Sequence, residues 1–181
     1  MSRENASSAD NQQERVPRNS ENLKHYLAGF ADGDGCFSIN VHRSKNMRLG
    51  WNIDPLFQVY QHKDNSEILH LFKGVLGCGY VSKKGGNPTC HVYCVDNTKD
   101  LVSKVIPFFE SYPLIGRKRN DFMLFKLIVT GVSEKKHLKK EGFVDLVKLS
   151  FQMNRNGKYR RNSLDTILES LEKSPETKRQ T

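Results

Sequence analysis

Apolar positions between residues 20 and 172 recur with two periods, and the switch between them marks the elements. Leu23, Tyr26, Leu27 and Phe30 fall three or four apart behind Ser20, a suitable helix cap, so the spacing predicts a helix ending at residues 33–35. Residues 36–44 then alternate, with Phe37, Ile39 and Val41 on one side and Ser38, Asn40, His42 and Ser44 on the other, the pattern of a half-buried strand. Residues 49–61 read as a second strand, interrupted near Pro55, with Phe57 and Val59 inward and Gln58 and Tyr60 outward. A helix over 65–76 stops at Gly77, and 79–84 and 89–96 form a hairpin across 85–88 in which Cys90, Val92 and Cys94 alternate with His91, Tyr93 and Val95. Further helices are expected over 99–109, 118–129, 139–153 and 163–171.

The order helix, two strands, helix, two strands, helices predicts an α+β fold. Its αββαββα core carries a four-stranded antiparallel sheet with helices on one face, followed by additional C-terminal helices. The domain is expected over 20–173. Residues 1–19 and 174–181, polar and almost without apolar side chains, are expected to be disordered tails. The uncovered sheet face is then assigned Ser38, Asn40, His42, Ser44, Gln58, Tyr60, Ser82, Lys84, His91 and Tyr93. Such a set of donors and acceptors suits the reading of base edges in a major groove. An ordinary solvated sheet face would look similar strand by strand.

Charge changes that balance. The net charge is +9, and residues 114–161, with 13 basic and 4 acidic side chains, carry all of it. A localised positive field attracts polyanions, nucleic acid first. Lys135, Lys136, Lys139, Lys140, Arg155, Lys158, Arg160 and Arg161 are the candidates for gripping phosphates, with 155–161 read as a loop that reaches DNA. The four cysteines lack a tight Cys-x-x-Cys spacing for zinc. There is no apolar run of membrane-spanning length and no signal peptide, so an intracellular protein without a membrane partner is expected.

The stretch of densest chemistry is Leu27-Ala28-Gly29-Phe30-Ala31-Asp32-Gly33-Asp34-Gly35. Glycine inside a helix costs about 1 kcal/mol against alanine, so Gly29 and Gly33 ask for a reason, and close approach of a second helix is one. Asp32 and Asp34 fall at the negative end of the helix dipole, where carboxylates are disfavoured unless a cation compensates. Two such helices side by side would bring two Asp34 carboxylates near a two-fold axis, an arrangement suited to hydrolysing two phosphodiesters with divalent metal. Asp32 fits backbone bracing at a turn equally well.

These nine residues closely resemble the motif of the LAGLIDADG homing endonucleases, in the variant with glycine before the final acid. Residues 57–61 (Phe-Gln-Val-Tyr-Gln), 77–81 (Gly-Cys-Gly-Tyr-Val) and 113–119 (Pro-Leu-Ile-Gly-Arg-Lys-Arg) resemble later stretches of the family in the right order, so the likeness runs over roughly 20–172. The resemblance implies a single-motif chain working as a homodimer, packed through Leu27, Ala28, Gly29, Phe30, Asp32 and Gly33. It implies an intron-encoded enzyme, in an organelle or a prokaryotic cytoplasm, that makes a staggered double-strand break in a long pseudo-palindromic DNA site. Asp34 and the Gly33 carbonyl would hold Mg²⁺, with Mn²⁺ as a substitute. Gln61 would position water, and Lys118 would stabilise developing charge, with Arg117 and Arg119 as neighbouring candidates for the same role. Lys63 is the nearest match to a further basic residue usual after the Gln61 position. An intron RNA maturase, with RNA as partner, and a non-cleaving DNA-binding regulator are the alternatives on the same fold. Phosphate-loop, metalloprotease and serine-hydrolase motifs are absent.

Overall fold

A computed structural model describes residues 20–154 and 160–172. The proposed tails, and the loop candidates Arg155 and Lys158, lie outside the described residues. Helix α1 (Glu21–Asp34) starts at Ser20, whose hydroxyl accepts the Leu23 N–H at 3.2 Å. It runs without a loop into β1 (Gly35–Arg43). The junction requires glycine: a Cβ on Gly35 would stand 2.6 Å from the Ala31 carbonyl oxygen that receives the Gly35 N–H. Strand β2 (Trp51–His62), helix α2 (Glu67–Leu76), and the hairpin β3 (Tyr80–Lys84) and β4 (Asn87–Val95) follow. Gly77 stops α2 in the left-handed conformation at φ 62°.

Helix α3 (Thr98–Asp100) passes through a π-helical run (Leu101–Val105) into α4 (Ile106–Ser111). Helices α5 (Lys118–Ser133), α6 (Lys140–Gln152) and α7 (Leu164–Glu172) complete the chain. The sheet is antiparallel, as the order of elements predicts, and its strands lie in the order β1-β2-β4-β3. Helices cover one face. Phe37 is at the centre, with the rings of Phe57, Phe109, Phe122 and Phe125 all within 5.3 Å, so β1, β2, α4 and α5 share one aromatic cluster. Burying a phenylalanine stabilises by about 1.5–3 kcal/mol. No described helix is long and apolar enough to cross a membrane.

Two expectations change here. Pro55 does not interrupt β2. It pairs with Ile39 of β1, and β4 joins only from Phe57 onward, so proline occupies a stretch with a single neighbouring strand, where a missing N–H is tolerated. The alternation of β4 is also reversed. Tyr93, expected on the open face, is 0% exposed against the helices. His91 shares its side, opposite Gln61 and Lys83, while Cys90, Val92 and Cys94 look outward beside Tyr60 and Gln58. The physical reason is volume: the Tyr93 ring stacks on Phe72 at 5.8 Å and fills space a cysteine would leave empty, and its hydroxyl donates to the Cys78 carbonyl at 3.0 Å.

Candidate active site and nucleic-acid interface

The site forms where α1 ends. Register explains its assembly: Gly35 pairs with Val59, so Gln61, two residues further along β2, lies beside the place where β1 has become α1. Its amide donates to the Asp34 carboxylate at 3.1 Å. Asp32 turns the other way. One of its oxygens accepts the N–H groups of Ile115 (3.0 Å) and Gly116 (2.7 Å), pinning the turn that opens α5. The geometry therefore supports the backbone-brace reading of Asp32 through that oxygen, while its other oxygen is buried without a hydrogen-bond partner among the described residues.

That pinned turn aims Lys118. Its ammonium donates to the carbonyls of Ala31 and Gly33, both at 2.9 Å, supplying positive charge to a helix end that has no basic residue of its own. Of the three neighbouring candidates, Lys118 is the one brought to α1, whereas Arg117 and Arg119 are exposed. Burial pushes the Lys118 ammonium below its ordinary range, against the opposing pull of Cys36, Asp32, Asp34 and Asp121. Burial likewise raises the neighbouring Cys36 thiol, which Lys118 partly offsets. Lys63 lies exposed in a short 3-10 turn (Lys63–Asn65) after β2.

Asp121 escaped the sequence reading, and Asn154 entered it only as the residue leading into the loop expected to reach DNA. Asp121 stands one turn after Lys118 on α5 and accepts the Asn154 N–H at 2.9 Å, while the Asn154 amide donates to Phe37 O at 2.9 Å. Together with Asp32, Gly33, Gly116 and Lys118 they line one cleft. Only the i, i+3 spacing of Lys118 and Asp121 was available as a signal.

Ser38, Asn40, His42, Gln58, Tyr60, Ser82 and Lys84 do stand on the open sheet face. Lys84 lies over the Tyr60 ring at 4.6 Å. Ser44 lies past the end of β1, in the connection to β2. Once β2 is read as continuous, its open face also gains Asn52, Asp54 and Leu56, which the assumed break at Pro55 concealed.

Among the basic candidates, Lys139 and Lys140 open α6, and Arg161 is exposed beside the open-face side chains of β1. Arg160 is a correction. Its guanidinium donates to Ile39 O and Ser150 O, both at 2.6 Å, and packs on Phe151 at 4.8 Å, so it clamps the chain to itself and is not free to grip a phosphate. The α1 interface is corrected as well. Leu27 (0% exposed) and Ala28 (5%) belong to the core, since Leu27 lies about half a turn away from Gly29. Phe30 is partly buried on Phe72. What α1 presents outward is Tyr26, Gly29 and Gly33, and a Cβ on either glycine would meet nothing within 4 Å.

Comparison with known proteins settles what this arrangement belongs to. A family model for LAGLIDADG endonucleases matches residues 27–129, more than half of the chain. The chain belongs to the LAGLIDADG endonuclease family. Homing endonuclease I-ApeII of Aeropyrum pernix is 32% identical over 154 residues, covering 82% of this chain and 90% of that protein. A Neurospora crassa protein named Probable intron-encoded endonuclease 3 is 36% identical over 127 residues, 70% of this chain; the chain spans only about a quarter (24%) of that relative. The archaeal intron-encoded homing endonuclease I-Vdi141I, solved in complex with DNA, superposes with a TM-score of 0.78 at 33% identity over 85% of this chain and 98% of its own.

Proposed function

We propose that this chain is a DNA endonuclease acting as a two-fold homodimer, each subunit cutting one strand of a long pseudo-palindromic duplex to leave a staggered break. The observation that carries this reading is the meeting of Asp34, Gln61 and Lys118 at the exposed end of α1. The open sheet face supplies the groove-facing surface beside it, and the DNA complex of the 33%-identical relative supports a duplex as its partner.

The residues fit a divalent cation. Among the described residues no three His, Cys, Asp or Glu side chains gather; the oxygens proposed for the cation at the end of α1 are the Asp34 carboxylate and the Gly33 carbonyl, which Lys118 also contacts. Such a sparse oxygen set suits Mg²⁺, which keeps several waters and takes one or two carboxylates together with substrate phosphates. Mn²⁺ would be accepted by the same oxygens. When bound, the metal supplies Lewis acidity at the phosphodiester and lowers the pKa of coordinated water. The chain does the rest. Gln61 fixes the orientation of the Asp34 carboxylate and offers its amide to a neighbouring water. Lys118 places positive charge beside the phosphorane oxygens as negative charge builds on them. The outward stripe of Tyr26, Gly29 and Gly33 lets two α1 helices meet, which sets the two Asp34 side chains on either side of the axis.

The test is selection of cleaved sequences from a randomised duplex library with Mg²⁺, comparing the natural chain with Asp34→Asn. Cleavage by the natural chain alone at a pseudo-palindromic site is the expected result. Specific binding without cutting would replace this reading with a DNA-binding regulator or an RNA maturase. Equal cutting by both proteins would remove Asp34 from the metal site.

A further inference from the structure

Asp54 is the one carboxylate on the open face of the four strands. Its register partner there is Asn40, and the adjacent pair is His42 with Asn52, so four polar side chains form a square at the end of the sheet remote from the cleavage site. The Asp54 carboxylate is held from both sides: Asn52 donates its amide to one oxygen at 2.7 Å, and the His42 ring nitrogen lies 3.3 Å from the other. It nevertheless keeps 45% of its side-chain surface open, and His42 keeps 50%.

A fixed, half-exposed carboxylate on a surface that approaches phosphates is repelled by them, so its presence needs a compensating donor. In the major groove, cytosine presents the N4 amino group and no acceptor on its edge, which is the match for a side chain that can only accept. We infer that Asp54, oriented by Asn52 and His42, selects a cytosine in the outer part of each half-site. The inference rests on the DNA-endonuclease reading above and adds a base identity and a position to it. Gln61 lies seven positions along β2 from Asp54. That is ~23 Å of strand at ~3.3 Å per residue, which corresponds to about six or seven base pairs at ~3.4 Å each.

The test selects randomised duplexes with the natural chain, Asp54→Asn and Asp54→Ala. It then measures binding by fluorescence anisotropy on the selected site and on variants changed at single base pairs. The natural chain is expected to demand cytosine at one outer pair and to lose on the order of tenfold in affinity when it is replaced. Asp54→Ala should be indifferent there and unchanged elsewhere. Asp54→Asn should move the preference to adenine, which an amide can meet with a donor and an acceptor together. Identical preferences in all three proteins would overturn the assignment, as would uniform weakening at every position or loss of a purine preference in place of a cytosine one. A natural chain that selects no sequence at all would instead strike down the DNA-endonuclease reading itself.

Discussion

The Tyr93 hydroxyl sits among closely packed side chains, where it donates to the Cys78 carbonyl at 3.0 Å, lies 3.9 Å from the Cys78 thiol and holds the glycine-rich entry to β3 against β4. Gly79 allows that approach, for a Cβ there would come within 2.5 Å of Cys94 O and 2.9 Å of the Tyr93 ring. Burial raises the phenol well above its ordinary pKa, so it remains a donor at any working pH. Tyr93→Phe is therefore expected to lower stability by about 1 kcal/mol, the net worth of a typical hydrogen bond, in a urea titration. The same variant should leave base preference untouched, because the side chain points away from the open face. A change in preferred site with no loss of stability would place Tyr93 on the reading surface after all.

At the scale of elements, the exposed edge of β1 is covered by side chains in place of a fifth strand. Asn154 donates to Phe37 O and Arg160 to Ile39 O, two alternate carbonyls of the same edge, and Arg160 also reaches Ser150 O at the end of α6. An uncovered edge invites pairing with another chain. Hydrogen bonds from a charged donor contribute about 1.5–3 kcal/mol, so Arg160→Met should lower stability by roughly that much in a thermal melt followed by circular dichroism. The salt dependence of DNA binding separates this role from phosphate contact. Each phosphate-gripping cation steepens the slope of log affinity against log salt by about 0.9. Arg160→Met should leave the slope as it is.

On the scale of the whole molecule, α1 faces two ways. Leu23, Leu27, Ala28 and Ala31 are buried in the core, while Tyr26 is 57% exposed in line with two glycines on which an added Cβ would meet nothing within 4 Å. In the proposed homodimer these uncrowded glycines let a second α1 approach closely. Gly29→Leu is thus expected to keep or raise the melting temperature, since leucine is favoured over glycine in a helix by about 1 kcal/mol. It should also yield a monomer in sedimentation and abolish double-strand cleavage. A dimer that survives the substitution would move the two-fold contact away from α1.

The sequence by itself determined the order of elements and the antiparallel sheet with one covered face, and its family resemblance pointed to Asp34, Gln61 and one of Arg117, Lys118 and Arg119. Period, cap and turn residues are local, and so is a nine-residue motif. Tertiary structure decided the rest. In β4 both alternating sets are plausible cores, and only the space beside Phe72 and Gly79 selects Tyr93 over the cysteines. Pro55 ends a strand or joins one depending on which neighbours lie along it, and that choice uncovered Asn52 and Asp54. Lys118 was separable from Arg117 and Arg119 only once Asp32 had pinned the turn before α5. Arg160 reads as surface charge until the carbonyls of Ile39 and Ser150, 121 and 10 residues away, close around it. Each is a contact between segments distant in the chain, and a local pattern carries no record of who the distant neighbour is.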